Sequence, residues 1–141
     1  MHNMKNALID QIKKSTLFAT VKGYKGEFKD ATKLADILPA ALVVFKSGFW
    51  PRSEKRGGFD ILICTQTLSF DEEADVDNNL SLCDGLMEYF HEHLVFTYEG
   101  KQYSFNIDEY QAQETDHPFT AKLVGQTERF TVVALHVSIL T

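Results

Sequence analysis

The chain of 141 residues has little cysteine and little proline, two and three residues respectively. Cys64 and Cys83 sit in the apolar contexts Leu62-Ile63-Cys64 and Leu82-Cys83, without the CxxC spacing of a zinc or redox site, and read as buried reduced thiols. So few prolines, with eight glycines, exclude a collagen-like rod or a proline-rich linker. Long apolar runs are missing too. The stretch Ala40–Phe45 is far below the length that spans a bilayer, and Met1 to Lys14 has neither a continuous apolar segment nor a cleavage pattern. The expectation is a cytoplasmic site of synthesis and no membrane partner. Positive charge is also short: 14 Lys+Arg stand against 20 Asp+Glu, a net of −6, which argues against specific nucleic-acid binding.

Familiar catalytic signatures are absent as well. There is no GxSxG elbow, no GxxxxGK[ST] phosphate cradle and no GxGxxG turn. Asp75, Asp77 and Asn79 have the 1-3-5 spacing of a calcium loop, but Leu80 stands where that loop needs glycine, and Leu86 or Met87 where it needs a bidentate Glu. His91 and His93 lie two apart, which on a helix points them in different directions, so they read as solvated helix-end side chains. His136, within an apolar strand, reads as hydrogen-bonded and partly buried. No catalytic, cofactor-binding or metal-binding residue is assigned from these patterns.

What is present is a globular composition: 44% hydrophobic, 24% charged and 12% aromatic residues, enough for one domain over residues 1–141 with a core of its own. Charge is unevenly spread. Residues 1–70 carry 11 basic and 6 acidic side chains, a net of +5; residues 71–141 carry 3 and 14, a net of −11. Opposite halves of this kind either reflect chance or attract each other between identical copies.

Hydrophobic periodicity supplies the elements. Leu8, Ile9 and Ile12 predict a short amphipathic helix over 6–14, and residues 17–24 a strand. Asp30 can cap a helical turn over 31–37 before Pro39. Ala40–Phe45 predicts a central strand covered on both faces, pairing as a hairpin with a strand over 59–68. Val76, Leu80, Cys83, Met87, Phe90 and Leu94 trace one stripe of a long helix at about 74–94; Gly85 within it suggests close packing on a strand. Residues 95–98 and 102–107 flank Glu99-Gly100 as a tight hairpin, 108–126 predicts a polar loop or arm, and 128–140 a closing strand. The fold class is α+β: a mostly antiparallel, mixed sheet with the long helix and the short N-terminal helix packed on it.

Two segments carry the candidate interaction residues. The loop expected over 48–58 holds Phe49, Trp50, Arg52, Lys55 and Arg56, and aromatic and arginine side chains are the usual anchors of protein interfaces. The bland alternative is that Phe49 and Trp50 fold back on the core. The other segment is acidic: Asp71, Glu72, Glu73 and Asp75, at the start of the long helix where carboxylates complement its dipole, with Glu114 and Asp116 in the later arm.

The order of elements, with its Leu38-Pro39-Ala40-Ala41-Leu42-Val43-Val44 strand, arginine-bearing loop, Phe59–Leu68 strand and long Val76–Leu94 helix, resembles the tail-terminator or tail-completion proteins of Mu-like phages and prophages. It is similar in layout to the minor tail protein U of lambda-like phages. It departs from them where Leu94-Val95-Phe96 runs straight into a strand in place of a glycine. The resemblance implies a structural protein without cofactor or turnover. Such a protein forms a homo-oligomeric ring, commonly a hexamer, on the tail tube, ends tube growth and offers a surface to the head connector, first in the host cytoplasm and then in the virion tail. Two alternatives stay open: an acidic inhibitor or immunity-type protein using Asp71–Asp77 with Glu114 and Asp116, or a small enzyme built around Cys64, His136 or His117.

Overall fold

The computed structural model describes residues 2–50, 54–68, 72–106 and 119–141. Helix α1 (His2–Lys14) leads into β1 (Thr20–Gly23), a short 3-10 turn (Glu27–Lys29) and α2 (Ala31–Ala35). Strands β2 (Ala40–Phe49) and β3 (Arg56–Gln66) form a long hairpin, followed by α3 (Glu72–Glu92). Strands β4 (Val95–Tyr98), β5 (Lys101–Phe105), β6 (Thr120–Gln126) and β7 (Phe130–Leu140) complete one mixed sheet. The sheet runs β1-β2-β3-β7-β5-β4, with only the β1–β2 pair parallel. This is the single-domain α+β architecture that the periodicity implies.

Register explains why the strands read as apolar. Residues 41 and 43 of β2, 59, 61 and 63 of β3, and 133, 135, 137 and 139 of β7 fall on one face by strand alternation. They form the main core with Met4, Ala7, Leu8 and Ile12 of α1 and Cys83, Leu86 and Phe90 of α3. The opposite face, with Ala40, Leu42, Leu62, Cys64 and Val132, is covered at one end by Leu34 of α2, with Phe28 and Ile37 alongside. Asp30 does cap α2: its Oδ1 accepts the Lys33 N–H at 3.3 Å. The Glu99-Gly100 turn joins β4 to β5 with φ of +50° and +78°, both central residues left-handed as a two-residue hairpin requires.

Several expectations need correction. The loop expected from 48 to 58 is shorter than that and is strand at both ends, because β2 continues to Phe49 and β3 begins at Arg56, cross-paired Ser47–Gly58, Gly48–Gly57 and Phe49–Arg56 past a bulge; residues 51–53 lie outside the described residues. The expected loop or arm over 108–126 contains β6, which pairs antiparallel with β7 over Thr120–Gln126 and is anchored by Phe119, buried against Phe90 and Phe105. Residues 107–118, with Glu114, Asp116 and His117, lie outside the described residues. Gly85 packs closely on a side chain, not on a strand: a Cβ there would lie 3.4 Å from Leu17 Cδ1. Finally, the buried stripe of α3 is centred on Asp75, Asn79, Cys83, Leu86 and Phe90, while Val76, Leu80, Met87 and Leu94 are only partly buried.

Candidate functional site

The far half of the β2–β3 hairpin is the first candidate. Strand β1 pairs with β2 only from Ala40 to Val43, so from Val44 to Phe49 that edge of β2 has no strand partner among the described residues. Beyond Val44 every residue of β2 is exposed. Phe45 leans on Phe59, their ring centroids 5.8 Å apart, and keeps 46% of its surface in water. Phe49 and Trp50 are 60% and 57% exposed, so neither folds back on the core. Of the cations expected beside them, Lys55 is exposed and Arg56 is tied to Glu54 by Nε and Nη2 at 3.2 and 3.1 Å. Arg52 lies outside the described residues. The backbone at Lys55 is fixed, its N–H donating to Thr141 Oγ1 and its carbonyl accepting the Thr141 N–H, both at 3.1 Å.

At the opposite end of β3 lies the acidic region. Glu72 and Glu73 are exposed, as the expected solvated helix start requires, and Asp71 lies outside the described residues. Asp75 behaves differently. It is 2% exposed; Oδ1 accepts the Leu68 N–H at 3.1 Å, and Oδ2 has no hydrogen-bond partner among the described residues. It lines a depression of about 720 Å³, with Thr67, Leu68 and Glu72 on one side and Gln126, Thr127 and Glu128 of the β6–β7 turn on the other. One turn further along α3, the fully buried Asn79 donates from Nδ2 to the Ile63 carbonyl at 2.8 Å, Thr65 Oγ1 at 3.0 Å and the Thr131 carbonyl at 3.1 Å. Asn79 thereby fixes the start of α3 onto β3 and β7 and sets the depth of Asp75.

The apolar count along α3 passes over both residues. The signal was available, since stepping back from Phe90, Leu86 and Cys83 by one turn at a time lands on Asn79 and Asp75. Further along, Asp77, Asp84, Glu88 and Glu92 are exposed and leave α3 with a carboxylate-rich outer surface. The 1-3-5 spacing of Asp75, Asp77 and Asn79 lies within a regular helix, where Asp77 faces water while the other two are buried. Among the described residues, no group of three or more His, Cys, Asp or Glu side chains is placed to hold a metal.

Cys64 and His136 of the enzyme alternative are held apart, and His117 lies outside the described residues. Cys64 pairs with Val132 and Asp60 with His136, which puts Cys64 and His136 about 13 Å apart along the strands at roughly 3.3 Å per residue. Burial, with a smaller contribution from the Glu27 carboxylate, pushes the Cys64 thiol up to about 12. Burial, with Asp84, does the same for Cys83. His136 is half-exposed on the sheet face and its Nδ1 lies 3.0 Å from Asp60 Oδ1, with Lys46 Nζ 3.7 Å from Oδ2. His91 and His93 are exposed at the C-terminal end of α3, His93 stacked on Tyr89.

A second depression, of about 610 Å³, collects Lys22, Lys25, Lys29 and Lys33 around the 3-10 turn and α2. Its floor is the nearly buried Glu27, whose carboxylate accepts the Lys25 N–H at 2.6 Å and pairs with Lys22 at 3.0 Å. No helix among the described residues is long and apolar enough to cross a membrane. No protein-family model matches the chain, and no curated protein sequence matches it.

Proposed function

We propose that this chain is a structural assembly protein of a phage or prophage tail, one that docks as a homo-oligomeric ring on the end of the tail tube, stops its growth and offers a surface to the head connector. The observation that carries the reading is the outer half of the β2–β3 hairpin. It combines an unpartnered strand edge with Phe45, Phe49 and Trp50 held in water, a combination that is an aggregation hazard unless a partner covers it. The carboxylate-rich surface of α3 and the lysines around Glu27 add two surfaces of opposite sign, suited to steering subunits into a fixed order. On this reading the work is done by docking, and no bond is made or broken.

The deciding experiment is electron microscopy of particles produced without the gene. Tails of uncontrolled length, or tails that fail to join heads, are the expected result. Tails of normal length carrying heads would refute the reading.

A further inference from the structure

The acidic depression and the basic end of the hairpin face opposite ways along one strand. β3 runs from Arg56 to Gln66, about 35 Å at roughly 3.3 Å per residue, with Lys55 before it and Thr67 after it. A cation at Lys55 therefore cannot reach the depression of its own chain. That depression has an unmet requirement: Asp75 is 2% exposed, its Oδ2 has no hydrogen-bond partner among the described residues, and Glu72 and Glu128 add two more carboxylates with no basic side chain among the described lining residues. A buried, unpaired carboxylate oxygen is unfavourable enough that native proteins supply it with a donor. The chain presents such a donor at its other end. Lys55 is exposed while its backbone is held on both sides by Thr141, so little ordering remains to be done when it docks. Arg56 beside it is already engaged by Glu54.

We propose that the depression lined by Glu72, Asp75 and Glu128 is the receptor for the Lys55 ammonium of a second copy of this chain. The inference rests on the ring reading above and deepens it by naming the contact. Different patches meet, so the contact is head-to-tail, and repeated with a fixed rotation it closes into a ring. The ammonium brings three donors, one for Asp75 Oδ2 and others for the flanking carboxylates.

The test is disulfide trapping in the full chain, where the buried Cys64 and Cys83 do not compete. An Asn3→Cys chain, whose new thiol shares a cleft with Lys55, is mixed under mild oxidation with an equal amount of a Leu68→Cys chain, which keeps Glu72, Asp75 and Glu128. A Lys14→Cys chain, exposed at the other end of α1, replaces Asn3→Cys as the control. The expected result is a mixed dimer well above the control. Adding Lys55→Gln to the first chain or Asp75→Asn to the second lowers the yield about thirtyfold or more, the order expected when one member of a buried charge pair is neutralised. Control-level trapping overturns the docking. So does a thermal stabilisation by calcium chloride that Asp75→Asn abolishes, since the occupant would then be a metal ion. Both results leave the ring reading to be decided separately by tail length in particles without the gene.

Discussion

The Asn79 carboxamide nitrogen lies 2.8 Å from the Ile63 carbonyl and reaches two further acceptors on β3 and β7, a polar clamp at the centre of an apolar interface. Its oxygen accepts from Cys83 Sγ at 3.6 Å, so both ends of the amide are used. Asn79→Ala leaves buried acceptors unpaired and should destabilise the chain by about 2–4 kcal/mol, lowering Tm by roughly 10 °C.

Asn79→Asp distinguishes a hydrogen-bond role from a packing role, because the two side chains have nearly the same shape. At neutral pH a carboxylate there can only accept, and it would face the Ile63 and Thr131 carbonyls. Its folded-state pKa would be raised, so the penalty is full above that raised value, shrinks as pH falls below it, and is gone below the unfolded value of about 4. Thermal melts of the two variants should show Asn79→Asp below Asn79→Ala at pH 7 and the gap narrowing at pH 4. Equal melting points at both pH values would leave the clamp without a role.

The clamp also marks where sequence reading stops. Core strands were legible because the Ala40–Val43 half of β2, together with β3 and β7, lies inside the sheet and is largely apolar. The β4–β5 turn was legible because Glu-Gly between two short β-rich runs has few other uses. Strand β6 was not, because an exposed edge strand carries no apolar alternation; all of its residues but Gln126 are exposed, and what fixes it is Phe119 outside the strand together with backbone pairing to β7. Asp75 and Asn79 escaped for a related reason: hydrophobic periodicity counts apolar residues, and a polar side chain on the buried stripe looks like a gap. Phe49 and Trp50 were legible as candidates, but Phe45 was read as part of a strand covered on both faces and is 46% exposed; the exposure of all three depends on β2 outrunning β1, which composition does not encode.

Acid sensitivity should trace in part to Glu27. Burial raises its carboxyl, and the Lys25 N–H bond and the Lys22 ammonium more than offset this, leaving the pKa below its ordinary value. A depressed carboxyl contributes stability that is complete above the unfolded value of about 4.3 and is lost as pH falls through the folded value. The stability difference between the native chain and Glu27→Gln should therefore be largest at neutral pH and shrink below about pH 4. Parallel melting curves from pH 7 to pH 3 would show that the Glu27 contacts are not linked to protonation.

The two thiols should be silent in the folded chain. With pKa values pushed to about 12, the thiolate population at pH 8 is on the order of one in ten thousand, and both sulfurs are enclosed. A thiol reagent added to native protein should label neither cysteine faster than the chain unfolds, and both at once in strong denaturant. Rapid labelling of Cys64 in the native state would reopen it as a nucleophile.

Phe49 and Trp50 allow assembly to be separated from folding. Each keeps more than half of its surface in water, so replacing both with serine removes little that the monomer buries, and the change in unfolding free energy should stay within about 1 kcal/mol. If these side chains are interface anchors, the same substitution should abolish association with tails, since a few aromatic anchors supply most of the binding energy at such contacts. The informative result is the pair of measurements. An unchanged Tm with loss of tail association places the role of the two rings at the contact. An unchanged Tm with normal tail association means that the hairpin end does not dock, and the strand edge beside it must then be covered by something other than a tail subunit.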